Sequence, residues 1–162
     1  MWPVLPEDPA GLRAWRDATL YRLVTRMSEA EMRETLSRLR QRGYRDVTNT
    51  DTALLANLDT ADTTISALAR RCGVTRQAVS QQLALLSQRG YVSRKPDPAD
   101  SRAILVRRTA KGHDLMHDAL EIVAQIEAEY AGFLGDERLA AAKEALADLV
   151  GHADPGGTLG GD

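Results

Sequence analysis

The sequence predicts a mainly α-helical fold with one small β-hairpin, and three observations carry that prediction. Apolar residues recur at three- and four-residue spacing over most of the chain. A period of two replaces this only between residues 91 and 108, where YVSRK and RAILVRR flank PDPADS. Of the 162 residues 43% are apolar but only 4% aromatic, so the core must rest on Leu, Val, Ile and Ala.

Taken in order, residues 1–10 hold three prolines and are expected to be extended. A helical pattern then runs through Leu12, Trp15, Leu20, Leu23, Val24, Met27, Met32, Leu36 and Leu39, and Gly43 ends it. Ser28 with Glu31 reads as a capping box, so this is one long helix or two joined at Met27 and Ser28. TDTALLANL, residues 50–58, is a short apolar helix. In TTISALARRCGV, the residues Ile65, Leu68, Ala69 and Cys72 share one helical face. Gly73 turns the chain, Thr75 caps the next helix, and Gly90 supplies its left-handed stop. Two helices around a tight glycine turn describe a helix-turn-helix.

On a wheel of the second helix, Arg76, Gln77, Ser80, Gln81 and Ala84 fall within one arc of about 140°. Ala78, Val79, Leu83 and Leu86 lie opposite, facing a core. Gln82 falls in the apolar arc, where a hydrogen bond to neighbouring backbone is expected. The hairpin follows directly on this helix, and the chain is long enough for one core with room for a dimerisation lobe. Thr109 caps a long helix through about Phe133, carrying Leu115, Ile122, Ile126 and Tyr130 on one face. Gly135 and Asp136 break and recap it, and a last helix holds Leu139, Leu146, Leu149 and Val150. Residues 151–162, GHADPGGTLGGD, read as a disordered tail.

The net charge of −2 hides a segregation. From Ala69 to His113 ten basic residues stand against Asp97 and Asp100, which makes the window +8 and leaves −10 for the rest. A basic island in an acidic chain is the footprint of a polyanion site. Arg, Gln and Ser on the outer face of the second helix can read hydrogen-bond patterns on base edges, Arg bidentately at guanine and Gln at adenine. A solvated surface helix looks the same in isolation. The preceding helix and the basic hairpin after it separate the two readings.

The run from Ile65 to Gly112, ISALARRCGVTRQAVSQQLALLSQRGYVSRKPDPADSRAILVRRTAKG, resembles the winged helix-turn-helix of the MarR family of bacterial transcriptional regulators. The wing RKPDPADSRAILVRRTAKG carries the resemblance most specifically, and the flanking helices extend it over nearly the whole chain. The resemblance implies a sequence-specific DNA-binding regulator, a ligand-responsive repressor that binds a pseudo-palindromic operator as a homodimer. It implies helical dimerisation segments at 1–47 and 110–150, around a DNA-binding domain at 48–109. Thr75, Arg76, Gln77, Ser80 and Gln81 would meet DNA from the helix, and Arg94 and Lys95 would meet phosphates. Arg102 matches the wing arginine that enters the minor groove, and Asp100 matches the acid that orients it. Arg108 and Gln82 depart from the family pattern, which has apolar residues there; a phosphate or an acidic neighbour is expected for Arg108.

The family's small-molecule effector implies a crevice, for which Trp15, Tyr21, Met27 and Tyr44 are the candidates. His113 and His117, four apart, have a metal-compatible spacing, but residues 1–60 supply only carboxylates to complete a site. Metal sensing through this pair stays an alternative, as does a non-specific architectural DNA-binding protein. No metal and no cofactor are expected. Cys72 reads as a buried, inert thiol. The chain shows no glycine-rich phosphate loop, nucleophile elbow or His-Cys-Asp constellation, so an enzyme is not expected. Its single cysteine, the absence of an apolar run near the roughly 20 residues of a membrane helix, and an N-terminus unlike a signal peptide predict a cytoplasmic protein without membrane contact.

Overall fold

The computed structural model describes residues 5–100 and 102–154. Asp8 opens α1 (Pro9–Asp17), its carboxylate accepting from the Ala10 and Gly11 amides at 3.0 and 2.8 Å. Pro9 stands at the first helical position, where a missing N–H costs nothing, so the stretch expected to be extended turns helical there. Thr19 opens α2 (Leu20–Gln41) by accepting from the Arg22 amide at 3.3 Å. Its hydroxyl donates to the Arg16 carbonyl at 2.7 Å, so one side chain closes a helix and starts the next. The break therefore falls at Ala18–Thr19, not at Met27–Ser28. Ser28 lies inside α2, where no helix end needs a cap.

Thr48 and Asp51 form a reciprocal capping box on α3 (Asn49–Ala56). A two-residue strand, β1 (Thr63–Thr64), leads into α4 (Ile65–Arg71); too short to show a period, it had no sequence signal. α5 (Arg76–Gln88), β2 (Val92–Pro96) and β3 (Ile104–Arg108) follow, then α6 (Ala110–Leu134) and α7 (Asp136–Ala153). The three strands form an antiparallel sheet in the order β1-β3-β2, with Val106 of β3 opposite Thr63 on one side and Arg94 on the other.

One core joins these elements. Leu55 of α3, Leu68 of α4, Leu83 and Leu86 of α5, Val106 of β3 and Leu115 and Ile122 of α6 are each 0% exposed. The core lies under the winged half and along α6, which packs on α2, α3, β3 and α7. By contrast α1 and α7 bury no residue, and α2 buries only Thr35 and Leu39. Leu20, Leu23, Val24, Met27, Leu146 and Leu149 are all exposed instead. Gly151, His152 and Ala153, expected in a disordered tail, are the last turn of α7, and Asp154 is its C-cap. The rest of that expected tail, residues 155–162, lies outside the described residues. No helix of the described residues is long and apolar enough to cross a membrane.

Candidate nucleic-acid interface

The turn before α5 is built as its sequence demands. Gly73 takes φ +63°, a left-handed value that side-chain-bearing residues rarely adopt. Thr75 then accepts from the Ala78 amide at 3.2 Å and starts the helix. Val79, Leu83 and Leu86 turn inward, while Arg76, Gln77 and Gln81 are exposed and Ser80 is half-buried. Ala78, expected in the core, is exposed.

The wing turn is held by backbone and two aspartates. The Asp97 amide donates to the Ala103 carbonyl at 3.0 Å, and the Ala103 amide to the Asp100 carbonyl at 2.9 Å. Asp100 accepts the Arg102 amide on its carboxylate at 2.9 Å. Asp100 thus fixes Arg102 through its main chain, and the guanidinium stays exposed.

The basic island divides in two. Arg71 donates to Asp59 at 2.8 Å and to the Asn57 carbonyl at 3.1 Å. Arg108 donates to the Leu55 carbonyl at 2.8 Å, in the last turn of α3, and, behind the Arg71 hydrogen bond, its charge also helps hold the Asp59 carboxyl below its ordinary value. The negative end of a helix suits a cation there. Lys95 and Arg107 share Asp62, at 2.7 and 2.8 Å. Hydrogen bonds from Lys95 first, then from Arg107, hold the Asp62 carboxyl below its ordinary range. Arg89 binds Asp51, and Lys111 binds the Arg89 carbonyl at 2.8 Å with its ammonium 4.2 Å from the centre of the Tyr91 ring. Among the described residues, Arg70, Arg76, Arg94 and Arg102 have no side-chain partner in the protein, and all four are exposed. They sit at the helix-turn-helix and on the wing.

Residues 45–103 match the sequence profile of the MarR family. The transcriptional regulator HosA of Escherichia coli O111:H- is 35% identical over 63 residues, 39% of this chain and 47% of HosA. This segment is similar to the MarR family. The match thus spans about half the length of that curated relative. The whole MarR-type fold extends further. The reduced form of MarR from E. coli aligns with a TM-score of 0.72 at 24% identity, covering 82% of this chain and 96% of that one. Streptococcus pneumoniae FabT in complex with DNA aligns at 0.73 and 18%, covering 84% and 96%.

The MarR-type domain contains one assembly that sequence reasoning missed. Asp51, 0% exposed, accepts from Arg89 at 2.7 and 3.0 Å, from the amide and hydroxyl of Thr48 at 2.9 and 2.8 Å, and from Gln82 at 2.7 Å. Gln82 therefore bonds a buried carboxylate, not neighbouring backbone. Burial pushes the Asp51 carboxyl up, but the bonds from Arg89, Thr48 and Gln82 outweigh it and hold the group below its ordinary value. Arg89 continues to the Asp46 carbonyl at 2.6 Å, and the Tyr91 hydroxyl donates to the Asp46 carboxylate at 3.0 Å.

The joint between the end of α5 and the start of α6 is equally tight. Three successive carbonyls are held from α6: that of Arg89 by Lys111, that of Gly90 by the Thr109 hydroxyl at 2.6 Å, and that of Tyr91 by the Thr109 amide at 3.1 Å. A Cβ at position 112 would lie 2.1 Å from the Tyr91 oxygen, so Gly112 is there for backbone contact.

The four effector candidates do not converge. An open apolar groove of about 820 Å³ runs between α2, α3, α6 and α7, and of the four only Met27 lines it. Trp15 and Tyr21 lie exposed outside it, since an amphipathic stripe does not say which neighbour its face will meet. The Tyr44 hydroxyl donates to Asp118 at 2.6 Å; burial and that carboxylate raise its pKa to about 12. His113 and His117 are exposed. Ligand atoms of His117, Asp118 and Glu121 lie within 4.8 Å of one another, but His113 is not among them, and Arg42 occupies both carboxylates at 2.6 and 2.8 Å. Cys72 is half-buried at the end of α4, its thiol pushed up by burial.

Proposed function

We propose that the chain is a sequence-specific, DNA-binding transcriptional regulator that acts as a homodimer, a cytoplasmic repressor released by a small effector. The observation that carries this is the set of four exposed, unpartnered arginines on the helix-turn-helix and wing. Arg76, Gln77, Ser80 and Gln81 meet base edges in the major groove, and Thr75 and Arg94 meet phosphates. Arg102 enters the minor groove, where narrow A·T-rich stretches focus negative potential, and Asp100 sets its direction through the turn. Lys95 reaches a phosphate only by sharing or leaving Asp62. That HosA is a transcriptional regulator and FabT a DNA complex supports the same reading.

In this reading residues 48–109 bind DNA, and 1–47 with 110–150 form the dimer. The exposed Leu20, Leu23, Val24, Leu146 and Leu149 of α2 and α7 support that division, because such a face needs a partner. Two-fold symmetry then asks for a pseudo-palindrome with half-sites about 10 base pairs apart. An effector lowers DNA affinity only by as much as it prefers the DNA-incompetent geometry.

The test is binding of the pure protein to duplexes from upstream of its own gene beside a scrambled duplex, at about 150 mM salt, where the screening length is roughly 8 Å. Tight binding to one duplex that is lost in Arg102→Ala supports a specific regulator. Equal binding to every duplex supports an architectural protein instead.

A further inference from the structure

We infer that Asp51 and Gln82 position the DNA-reading helix. The bond between them sets the rotation of α5 about its own axis and so decides which side chains face the groove. The inference rests on the DNA-binding reading above.

Packing through Val79, Leu83 and Leu86 holds α5 against the core but is non-directional, so alone it tolerates a small roll or slide. A hydrogen bond is directional. Gln82 and Arg89 are seven residues apart, two turns, and so lie on one side of the helix. Both reach the same carboxylate, and that carboxylate is itself fixed by the capping box of α3. A helix tied at two points two turns apart to one immobile group cannot roll freely. Gln82 also follows directly on Gln81, and Gln77 lies just over a turn before it. A roll at Gln82 is therefore passed to both reading side chains.

The donor census separates positioning from support. Without Gln82, Asp51 keeps four donors: two from Arg89, the Thr48 amide and the Thr48 hydroxyl. Both of its oxygens stay bonded, so no buried charge is stranded. Gln82 can therefore be removed with the fold intact, and what is lost is geometry.

The experiment compares wild type with Gln82→Ala and Gln82→Leu. The probes are a duplex that wild type selects from a random pool and a scrambled duplex of the same composition. The expected result is a thermal midpoint within about 3 °C of wild type, unchanged affinity for the scrambled duplex, and a specific-to-scrambled ratio lowered about tenfold. A purely supporting role would instead lower the midpoint and both affinities together, and that outcome overturns the inference. So does a ratio within about twofold of wild type in either folded variant. A wild type that selects no duplex from the pool defeats the DNA-binding reading itself, and it does so before any variant is measured.

Discussion

The guanidinium of Arg89 grips Asp51 with both terminal nitrogens, at 2.7 and 3.0 Å, although the aspartate has no solvent exposure at all. Removing one partner of such a pair strands the other. Asp51→Ala is expected to destabilise the protein by about 3–5 kcal/mol. The lower end is the better expectation, since the Arg89 side chain keeps 23% of its exposure and water recovers part of the loss. Urea unfolding checks this; a loss under about 1 kcal/mol would show that the pair supports little.

The same carboxylate gives an acid limb. Its folded pKa lies below the ordinary 3.8, so its contribution is fully present above that value and fades as pH falls through the depressed one. The stability difference between wild type and Asp51→Asn should be level from neutral pH down to about 5 and shrink below about 4. Thermal midpoints taken across that range decide it, and a difference that stays level down to pH 3 contradicts the assignment.

Asp62 holds two wing cations at once. Asp62→Asn removes the charge that competes with DNA phosphates for them. Binding to any duplex should tighten, and the plot of log affinity against log salt should steepen by about 1, the value for one more neutralised phosphate. Sequence preference should not change. A shift in preference would mean that Asp62 shapes the wing rather than neutralising it.

Residues on α5 and on the wing should fail differently. Arg76→Ala or Gln77→Ala should cost about 1–3 kcal/mol on the preferred duplex and relax its sequence, whereas Arg94→Ala should weaken all duplexes alike and flatten the salt slope by about 1. Competition titrations at two salt concentrations separate the two patterns. Intact preference in Gln77→Ala would remove α5 from the role of reader.

What was legible in the sequence was local. Thr75, Gly90, Thr109 and Gly135 mark the helix ends they were expected to mark, because caps and positive-φ stops act within one turn. The hairpin was legible from its change of period. Hidden were the pairings across distance. Gln82 looked misplaced because its partner lies 31 residues away on another helix. Six members of the basic island looked available and are committed to acceptors, several of them outside the window where charge was counted. Thr19 was passed over for Ser28 because both can cap, and only tertiary packing decides where a helix must bend. The effector candidates are dispersed for a related reason: an exposed apolar stripe records that a helix has a partner without saying which one.

The joint at Gly112 has a geometric consequence. The carbonyls of Gly90 and Tyr91 are held by Thr109, the cap of α6, and that of Arg89 by Lys111 in its first turn, which fastens the helix-turn-helix to the long helix. In the proposed two-fold dimer, built through 1–47 and 110–150, the distance between the two heads would depend on the length of α6 between its capped start and the dimer contacts. Each residue of an α-helix adds about 1.5 Å of length and about 100° of rotation together. One residue added to α6 would move a head slightly outward and swing it far off the groove. Span and angular phase on the duplex are therefore one quantity in this architecture. In such a dimer, a change of half-site spacing by steps of single residues would be closed, and only insertions near whole helical turns would leave the head aimed at DNA.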